Sequence, residues 1–354
     1  MRQRWPAPSR PRPIVVIGAG AIVRTAHLPA YRRLGFDVAG IFDARPEAAR
    51  ETARMFGVGQ VFGTIDEAAA GGDVVFDVAV PGDQIAGVVE RLPPGAAVLI
   101  QKPMGEDLAA AGQILKTCRA RRLVAALNFQ LRFSPNVIAV RDLVEHGGLG
   151  DMTDIEVRIV DRQPWEQWLF LRGAPRLEVL YHSIHYLDLI RWFAGEPRGV
   201  YCRAVPDPHL QGLADTRSTI ILDYGSAIRC SLALNHTHRG GAGHRASFLK
   251  MEGTNGSALL TLGVNLAYPV GSPDRLEIAP AGGQSEEVPL RGSWFTEAFE
   301  GPMSNLQRFV AGEDPALVSP LDDAIRTMAV VEACYQSSAV GATPIPAVSV
   351  DGPG

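Results

Sequence analysis

An apolar tetrapeptide that leads directly into a glycine-rich turn is the feature that most restricts the fold of this chain. Ile14-Val15-Val16-Ile17 is followed at once by Gly18-Ala19-Gly20-Ala21-Ile22-Val23 and then by a helical pattern. Glycines at a strand-to-helix turn allow backbone N–H groups to face a pyrophosphate above the positive end of a helix dipole. The turn therefore predicts a dinucleotide site, with backbone contacts from Gly18, Ala19, Gly20, Ala21 and Ile22.

Asp43 is expected to select the dinucleotide. It ends the predicted second strand, roughly 20 residues beyond the turn, where a carboxylate accepts hydrogen bonds from the adenosine ribose 2′-hydroxyl and repels a 2′-phosphate. We therefore expect NAD in preference to NADP, although Arg45 lies close enough to weaken the preference. Val23 occupies the place of the usual third glycine, so the helix is expected to lie slightly further from the strand.

The order of the predicted elements divides the chain into two domains. Up to about residue 130, short β-branched runs such as 38–42 and 74–80 alternate with helical stretches, which predicts a parallel sheet covered by helices. Beyond that point strand-like runs follow one another with Gly, Asn or Pro between them, which predicts antiparallel pairing. We predict strands at 154–160, 219–224, 228–234, 247–252, 258–262 and 276–278, and helices at 134–146, 177–194 and 321–338.

The predicted architecture is an α/β Rossmann domain followed by an α+β domain with a large, open, mostly antiparallel sheet. Residues 13–130 form the first domain and residues 131–345 the second, which suits a chain of 354 residues. Residues 1–12 are basic and proline-rich without an apolar core, so they are expected to be a disordered tail and not a secretory signal.

The composition restricts the partners and the compartment. A net charge of -4 offers no electrostatic reason for nucleic-acid or membrane partners. Four cysteines without paired spacing are typical of reduced thiols, so a cytoplasmic protein without a zinc framework is expected.

The predicted helix 177–194 has one apolar face and one ionisable face. A solvated surface is the alternative interpretation, but such faces are usually built from Lys, Glu and Gln. A histidine on this face can take a proton from a substrate hydroxyl near neutral pH. The ionisable face contains Glu178, Tyr181, His182, His185, Asp188 and Trp192.

Several motifs, in the same order along nearly the whole chain, resemble the Gfo/Idh/MocA oxidoreductase family, which includes glucose-fructose oxidoreductase and inositol dehydrogenase. In addition to the glycine-rich turn, they are His27-Leu28-Pro29-Ala30, Gln101-Lys102-Pro103, Arg132-Phe133-Ser134-Pro135, His185-Tyr186-Leu187-Asp188 with Trp192, Gly195-Glu196-Pro197 and Glu252-Gly253-Thr254-Asn255-Gly256.

The resemblance implies roles for three residues. The family's Glu-Lys-Pro motif corresponds to Gln101-Lys102-Pro103, which implies that Lys102 touches both cofactor and substrate. The family's catalytic His corresponds to His185. The Asp that usually lies four residues earlier corresponds to Tyr181, which offers only a neutral hydrogen bond and would leave the histidine without a carboxylate neighbour. Glu178 or His182 could compensate, and the sequence does not choose between them.

These observations predict an NAD-dependent oxidoreductase that acts on a secondary hydroxyl or ketone of a sugar, sugar derivative or cyclitol. His185 is the expected acid–base residue, Lys102 polarises the oxygen, and Tyr181 donates or accepts a hydrogen bond. Val80, Pro81 and Gln101 are further cofactor candidates. The weaker substrate candidates are Arg132, Trp165, His182, His236 and His238.

Two other functions remain open at this stage. A metal-assisted or NAD-containing isomerase or lyase could use His182, His185, Asp188 and either His236 or His238 as ligands. A cofactor-binding regulator without turnover is the other. Gln101 and Tyr181, which replace the family's usual Glu and Asp in the catalytic motifs, are compatible with it. The expected assembly is a homodimer or homotetramer, which the family resemblance implies.

Overall fold

The first sheet contains five parallel strands and places the glycine-rich turn at its carboxyl edge. The computed structural model describes residues 1–165, 168–268 and 271–344. The strands within them are β1 (Ile14–Ile17), β2 (Val38–Phe42), β3 (Val75–Val78), β4 (Ala97–Gln101) and β5 (Val124–Asn128). Their order in the sheet is β2-β1-β3-β4-β5, and every neighbouring pair is parallel. This is the predicted Rossmann sheet.

Helices cover both faces of this sheet, as the alternating pattern predicts. One face packs against α3 (Ile65–Ala69), α4 (Ile85–Val89) and α5 (Leu108–Ala120). The other packs against α1 (Leu28–Leu34), α2 (Pro46–Phe56) and α8 (Glu300–Val310). Helix α8 reaches the first sheet from the C-terminal part of the chain, so the N-terminal domain is not built from one continuous segment.

The second sheet has eight strands within the described residues. Their order is β13-β12-β11-β10-β6-β9-β8-β7; β6 and β9 pair in parallel and the other neighbours are antiparallel. The six predicted strands are present, and β7 and β13 were not predicted. The bounds are β6 (Met152–Val160), β7 (Gly199–Val205), β8 (Arg217–Asp223), β9 (Arg229–Asn235), β10 (Ala246–Gly253), β11 (Gly256–Thr261), β12 (Arg275–Pro280) and β13 (Glu286–Glu287).

Helices on one face of this sheet bring the chemistry-bearing side chains to the first domain. They are α6 (Pro135–Glu145), a π-helical turn (Val179–Ser183) that leads into α7 (Ile184–Ala194), and α9 (Leu321–Val340). The opposite face exposes Tyr201 and Ile221, with 65% and 47% of their surface accessible. No described helix combines the length and the apolar character needed to cross a bilayer.

The N-terminal segment packs on the body of the protein, contrary to the prediction of a disordered tail. Arg2 donates to Asp142 at 2.8 Å, and Trp5 donates from Nε1 to Asp314 at 2.8 Å. The Trp5 ring also meets Phe133 edge-on, with centroids 5.4 Å apart. The prediction was wrong because the low hydrophobicity of the segment does not reveal a single anchoring tryptophan and its polar partners.

Candidate active site

The glycine-rich turn has the form that a dinucleotide requires. Gly18 adopts a φ of 111°, and a Cβ there would collide with the carbonyl of Ala79, so no other residue fits the turn. A Cβ at Gly20 would meet nothing within 4 Å, which leaves the backbone there open to a phosphate. A helical segment begins at Ala21 and includes a π-helical turn at Val23–His27.

The remaining cofactor candidates lie around this turn. The Asp43 carboxylate accepts from the backbone N–H groups of Ala19 and Arg45, at 2.7 and 2.8 Å, which anchors the acidic side chain beside the turn. Val80 borders the turn, since its Cγ1 atom would lie 3.5 Å from a Cβ built on Gly18. Gln101 is buried at the end of β4, and its Oε1 atom has no hydrogen-bond partner among the described residues. These groups fit a bound dinucleotide.

Lys102 follows β4 and reaches the second domain. Its ammonium donates to the main-chain carbonyl of Tyr181 at 2.8 Å. Burial lowers the pKa of Lys102 to about 8, because the charged form loses hydration. An ammonium has three donors, so two stay available for other oxygen atoms.

The helix that carries His185 begins in a buried polar cap. Asp215 accepts from the backbone N–H groups of Leu177 and Glu178, at 2.9 and 3.0 Å. The π-helical turn Val179–Ser183 then precedes α7, and π-turns are frequent at functional sites. Glu178 was predicted on the ionisable face but is fully buried, and its Oε1 accepts from Ser183 at 2.7 Å. The same Oε1 atom lies 3.5 Å from Nε2 of His236, so this carboxylate lies beside His236.

His185 has the surroundings of a neutral base. It is 7% exposed, and burial followed by the nearby Lys102 ammonium holds its pKa well below the usual 6.5. Its ring meets Trp294 edge-on, with centroids 5.6 Å apart. No described residue forms a hydrogen bond with its buried Nδ1. At neutral pH this imidazole is unprotonated and can accept a proton.

His182 lies between aromatic rings and a charged histidine. Its ring centroid is 5.1 Å from that of Trp165 and 4.6 Å from that of His236. Although burial opposes it, Asp161 raises the pKa of His236 to about 10, and the two side chains are 2.7 Å apart. Burial, followed by His236, keeps the pKa of His182 well below its usual value. His182 is thus a second neutral imidazole near Lys102.

Three substrate candidates prove to be engaged by the protein itself. His236 is 1% exposed and paired with Asp161, and Trp165 donates from Nε1 to the His236 carbonyl at 3.2 Å. Arg132 is 2% exposed and forms ion pairs with Asp188 and Asp323. Arg132 and His236 are therefore held by ion pairs within the protein. His238 has a buried Nε2 atom without a partner among the described residues.

The metal-ligand set of the alternative function does not assemble. Both carboxylate oxygens of Asp188 accept from Arg132, at 2.6 and 2.8 Å. Among residues 1–165, 168–268 and 271–344, no group of three His, Cys, Asp or Glu side chains could hold a metal ion. Helical spacing suggested His182, His185 and Asp188 as ligands, and the ion pair with Arg132 removes the only carboxylate of the predicted set.

Comparison with known proteins identifies the family. The model of the NAD-binding Rossmann domain of the oxidoreductase family matches residues 12–129, and that of the GFO/IDH/MocA C-terminal domain matches residues 137–259. The chain belongs to the Gfo/Idh/MocA family. It is an oxidoreductase of two domains, in agreement with the resemblance found in its motifs.

Two relatives of this Gfo/Idh/MocA protein are named as dehydrogenases. Inositol 2-dehydrogenase of Rhizobium meliloti is 26% identical and aligns over 92% of this chain and 96% of its own. Trans-1,2-dihydrobenzene-1,2-diol dehydrogenase of Bos taurus is 28% identical over 68% of each chain. An Agrobacterium radiobacter oxidoreductase solved with NAD+, L-tartaric acid and magnesium has a TM-score of 0.77 at 20% identity, covering 93% of this chain and 97% of its own.

Two residues that contact the candidate site of this Gfo/Idh/MocA protein were not predicted from the sequence. Glu106 accepts a hydrogen bond from the Tyr181 hydroxyl at 2.7 Å, and its position four residues after Lys102 was an available signal. Trp294 packs on His185 from a loop before α8. Nothing in the local pattern around Trp294 indicates this contact, because it arises from tertiary packing.

Proposed function

We propose that this chain is an NAD-dependent dehydrogenase that oxidises a secondary hydroxyl of a sugar, sugar derivative or cyclitol, or reduces the matching ketone. The observation that carries the proposal is the hydrogen bond from Lys102 to the Tyr181 carbonyl. Through this bond the ammonium group lies against the π-helical turn that leads into α7, the helix of His185. The neutral imidazole of His185 can accept a proton.

The roles of His185 and Lys102 follow from their protonation states. In oxidation, His185 accepts the hydroxyl proton while Lys102 donates hydrogen bonds to the same oxygen and stabilises its developing negative charge. When bound at the turn after β1, NAD supplies the nicotinamide ring that accepts the hydride. The backbone at Gly18 and Gly20, together with Asp43, Val80, Pro81 and Gln101, would hold this cofactor.

The substrate class rests on the character of the site and on the relatives. The imidazoles of His182 and His185 are neutral and can form hydrogen bonds with a ligand. The Trp165 ring lies against His182. A hydroxylated ring matches such mixed surroundings, since its hydroxyls need polar partners and its C–H face needs apolar ones. The two named relatives are, by name, dehydrogenases of ring compounds that carry hydroxyl groups.

We also propose NAD over NADP, a cytoplasmic location and a homodimer or homotetramer. The Asp43 carboxylate beside the turn supports the first, and four free thiols support the second. The exposed Tyr201 and Ile221 on the open sheet face support the third. Light scattering tests the assembly, and a monomer would contradict it.

A substrate scan tests the proposed activity. Purified protein is mixed with NAD or NADP and with single sugars, cyclitols and ring diols, and reduction of the nicotinamide is followed by absorbance. We expect reduction that depends on substrate and favours NAD. Dinucleotide binding without reduction by any polyol, and without oxidation of reduced cofactor by the matching ketones, would contradict the proposal.

A further inference from the structure

One residue of the second domain is held at two points by one loop of the first. The loop between β4 and α5 contains both Lys102 and Glu106. Lys102 donates to the main-chain carbonyl of Tyr181 at 2.8 Å, and the Tyr181 hydroxyl donates to Glu106 at 2.7 Å. Carbonyl and hydroxyl lie at opposite ends of the tyrosine, so the two bonds together fix the π-helical turn against the loop.

The carboxylate of Glu106 lies next to a glycine of the segment that follows β3. Gly82 follows β3 and is buried, and a Cβ on it would collide with the Oε1 atom of Glu106. Oε1 is the atom that accepts the Tyr181 bond. The glycine thus leaves the space in which the acceptor of the tyrosine lies.

Tyr181 is a donor and does not exchange protons near neutral pH. Burial, followed by the Glu106 carboxylate, raises the pKa of its hydroxyl above the usual value of 10. A hydroxyl that stays protonated and already has an acceptor cannot act as a base. The role of Tyr181 must therefore be sought in its contacts and not in proton transfer.

We propose that Tyr181 and Glu106 are positioning residues whose hydrogen bond holds the carbonyl that receives Lys102, and thereby keeps the ammonium in its buried place beside His185. The consequence of this positioning for catalysis rests on the proposed function. Tyr181 occupies the position at which the family resemblance implies an aspartate, and the inference gives Glu106 a role through its hydrogen bond with that tyrosine.

The titration of Lys102 tests this inference without turnover. Trace acetylation with acetic anhydride across a pH series, followed by mass spectrometry of the Lys102 peptide, gives the pKa of that amine. Exposed Lys116 in the same protein is the internal reference. The ionisable groups near Lys102 and Tyr181 are Asp83, Glu106, His182 and His185.

Loss of the hydrogen bond between Tyr181 and Glu106 should expose the Lys102 ammonium to water. In Tyr181→Phe and in Glu106→Ala, the pKa of Lys102 should rise by roughly one unit or more from about 8, toward the ordinary lysine value of about 10.4. The double variant should rise no further, because either change alone removes the bond. Glu106→Gln keeps an acceptor and should leave the pKa near that of the wild type.

The sign of the shift separates positioning from simple electrostatics. If Glu106 acted only through its negative charge, both Glu106→Ala and Glu106→Gln would lower the pKa of Lys102. Gly82→Ala, which displaces the carboxylate, should reproduce the rise of Glu106→Ala. Gly87→Ala is the matched control, since a Cβ there meets nothing within 4 Å.

Two outcomes overturn the inference: an unchanged or lowered pKa in Tyr181→Phe and Glu106→Ala, or shifts that add in the double variant. Thermal unfolding and NAD binding of each variant verify that it is folded. A wild-type protein that reduces no cofactor would contradict the proposed function, and the acetylation result would still decide the positioning.

Discussion

Arg132 forms a fully buried, two-point ion pair with Asp188, with N–O distances of 2.6 and 2.8 Å. The pair joins the segment after β5 to helix α7, and a third bond, from Arg132 to Asp323, extends it to α9. Removal of one partner leaves a buried charge without compensation, which usually costs about 3–5 kcal/mol. This pair therefore holds the helix of His185 against the segment that follows β5.

We predict that Arg132→Met lowers the free energy of unfolding by about 3–5 kcal/mol. Urea unfolding followed by circular dichroism measures the change. Arg91→Ala is the control, because its pair with Asp66 is exposed and should contribute less than about 1 kcal/mol. Equal small losses in both variants would contradict the structural role of Arg132.

Asp43→Asn should change the choice of dinucleotide. The amide oxygen still accepts from the Ala19 N–H, while the charge that repels a 2′-phosphate is gone. The ratio of kcat/KM for NADP to that for NAD should rise roughly tenfold, which corresponds to about 1.4 kcal/mol. Glu47→Gln, exposed at the start of α2, is the control. An unchanged ratio would exclude Asp43 from cofactor selection.

The rate should fall as the pH rises through about 8. Lys102 assists only as an ammonium, and its pKa is about 8, so kcat/KM for oxidation declines above that pH. His185, with a pKa well below 6.5, stays unprotonated from pH 6.5 to 8, so no loss is expected in that range. In Lys102→Arg the decline should disappear, since a guanidinium stays charged. A decline at the same pH in both proteins would assign it to another group.

Trp5 should stabilise the protein through the N-terminal segment. Its Nε1–H bond to Asp314 and its contact with Phe133 are both lost in Trp5→Ala. We expect a loss of about 1–2 kcal/mol, measured by thermal or urea unfolding. Arg10→Ala, in an exposed residue of the same segment, should have no effect. Identical stability of both variants would indicate that the segment does not pack as described.

The sequence was sufficient for the fold because local patterns and global topology agree. A strand leading into Gly18-Ala19-Gly20, followed by alternating elements, allows few architectures other than a Rossmann domain. Regular spacing also gave six of the strands in the second sheet. Strand β7 was missed because its residues are exposed or half-buried without clear alternation.

Candidate site residues could be predicted from the sequence only where residue type and a local motif indicate them. His185 and Lys102 were predicted from residue type and motif, and the Lys102 ammonium lies at the Tyr181 carbonyl, near His185. The ion pair of Arg132 with Asp323 could not be predicted, because the two residues lie far apart in the chain. Trp294 was missed for the same reason, since contacts between distant segments leave no local pattern.

The most direct test of the central claim is single-turnover reduction of NAD by the best substrate of the scan, in the wild type and in His185→Asn. NAD binding is measured on the same samples. Asparagine cannot take a proton, so we predict a rate roughly a hundredfold to ten-thousandfold lower with NAD affinity unchanged. A His185→Asn protein that reduces NAD at the wild-type rate would contradict the assignment of His185 as the base.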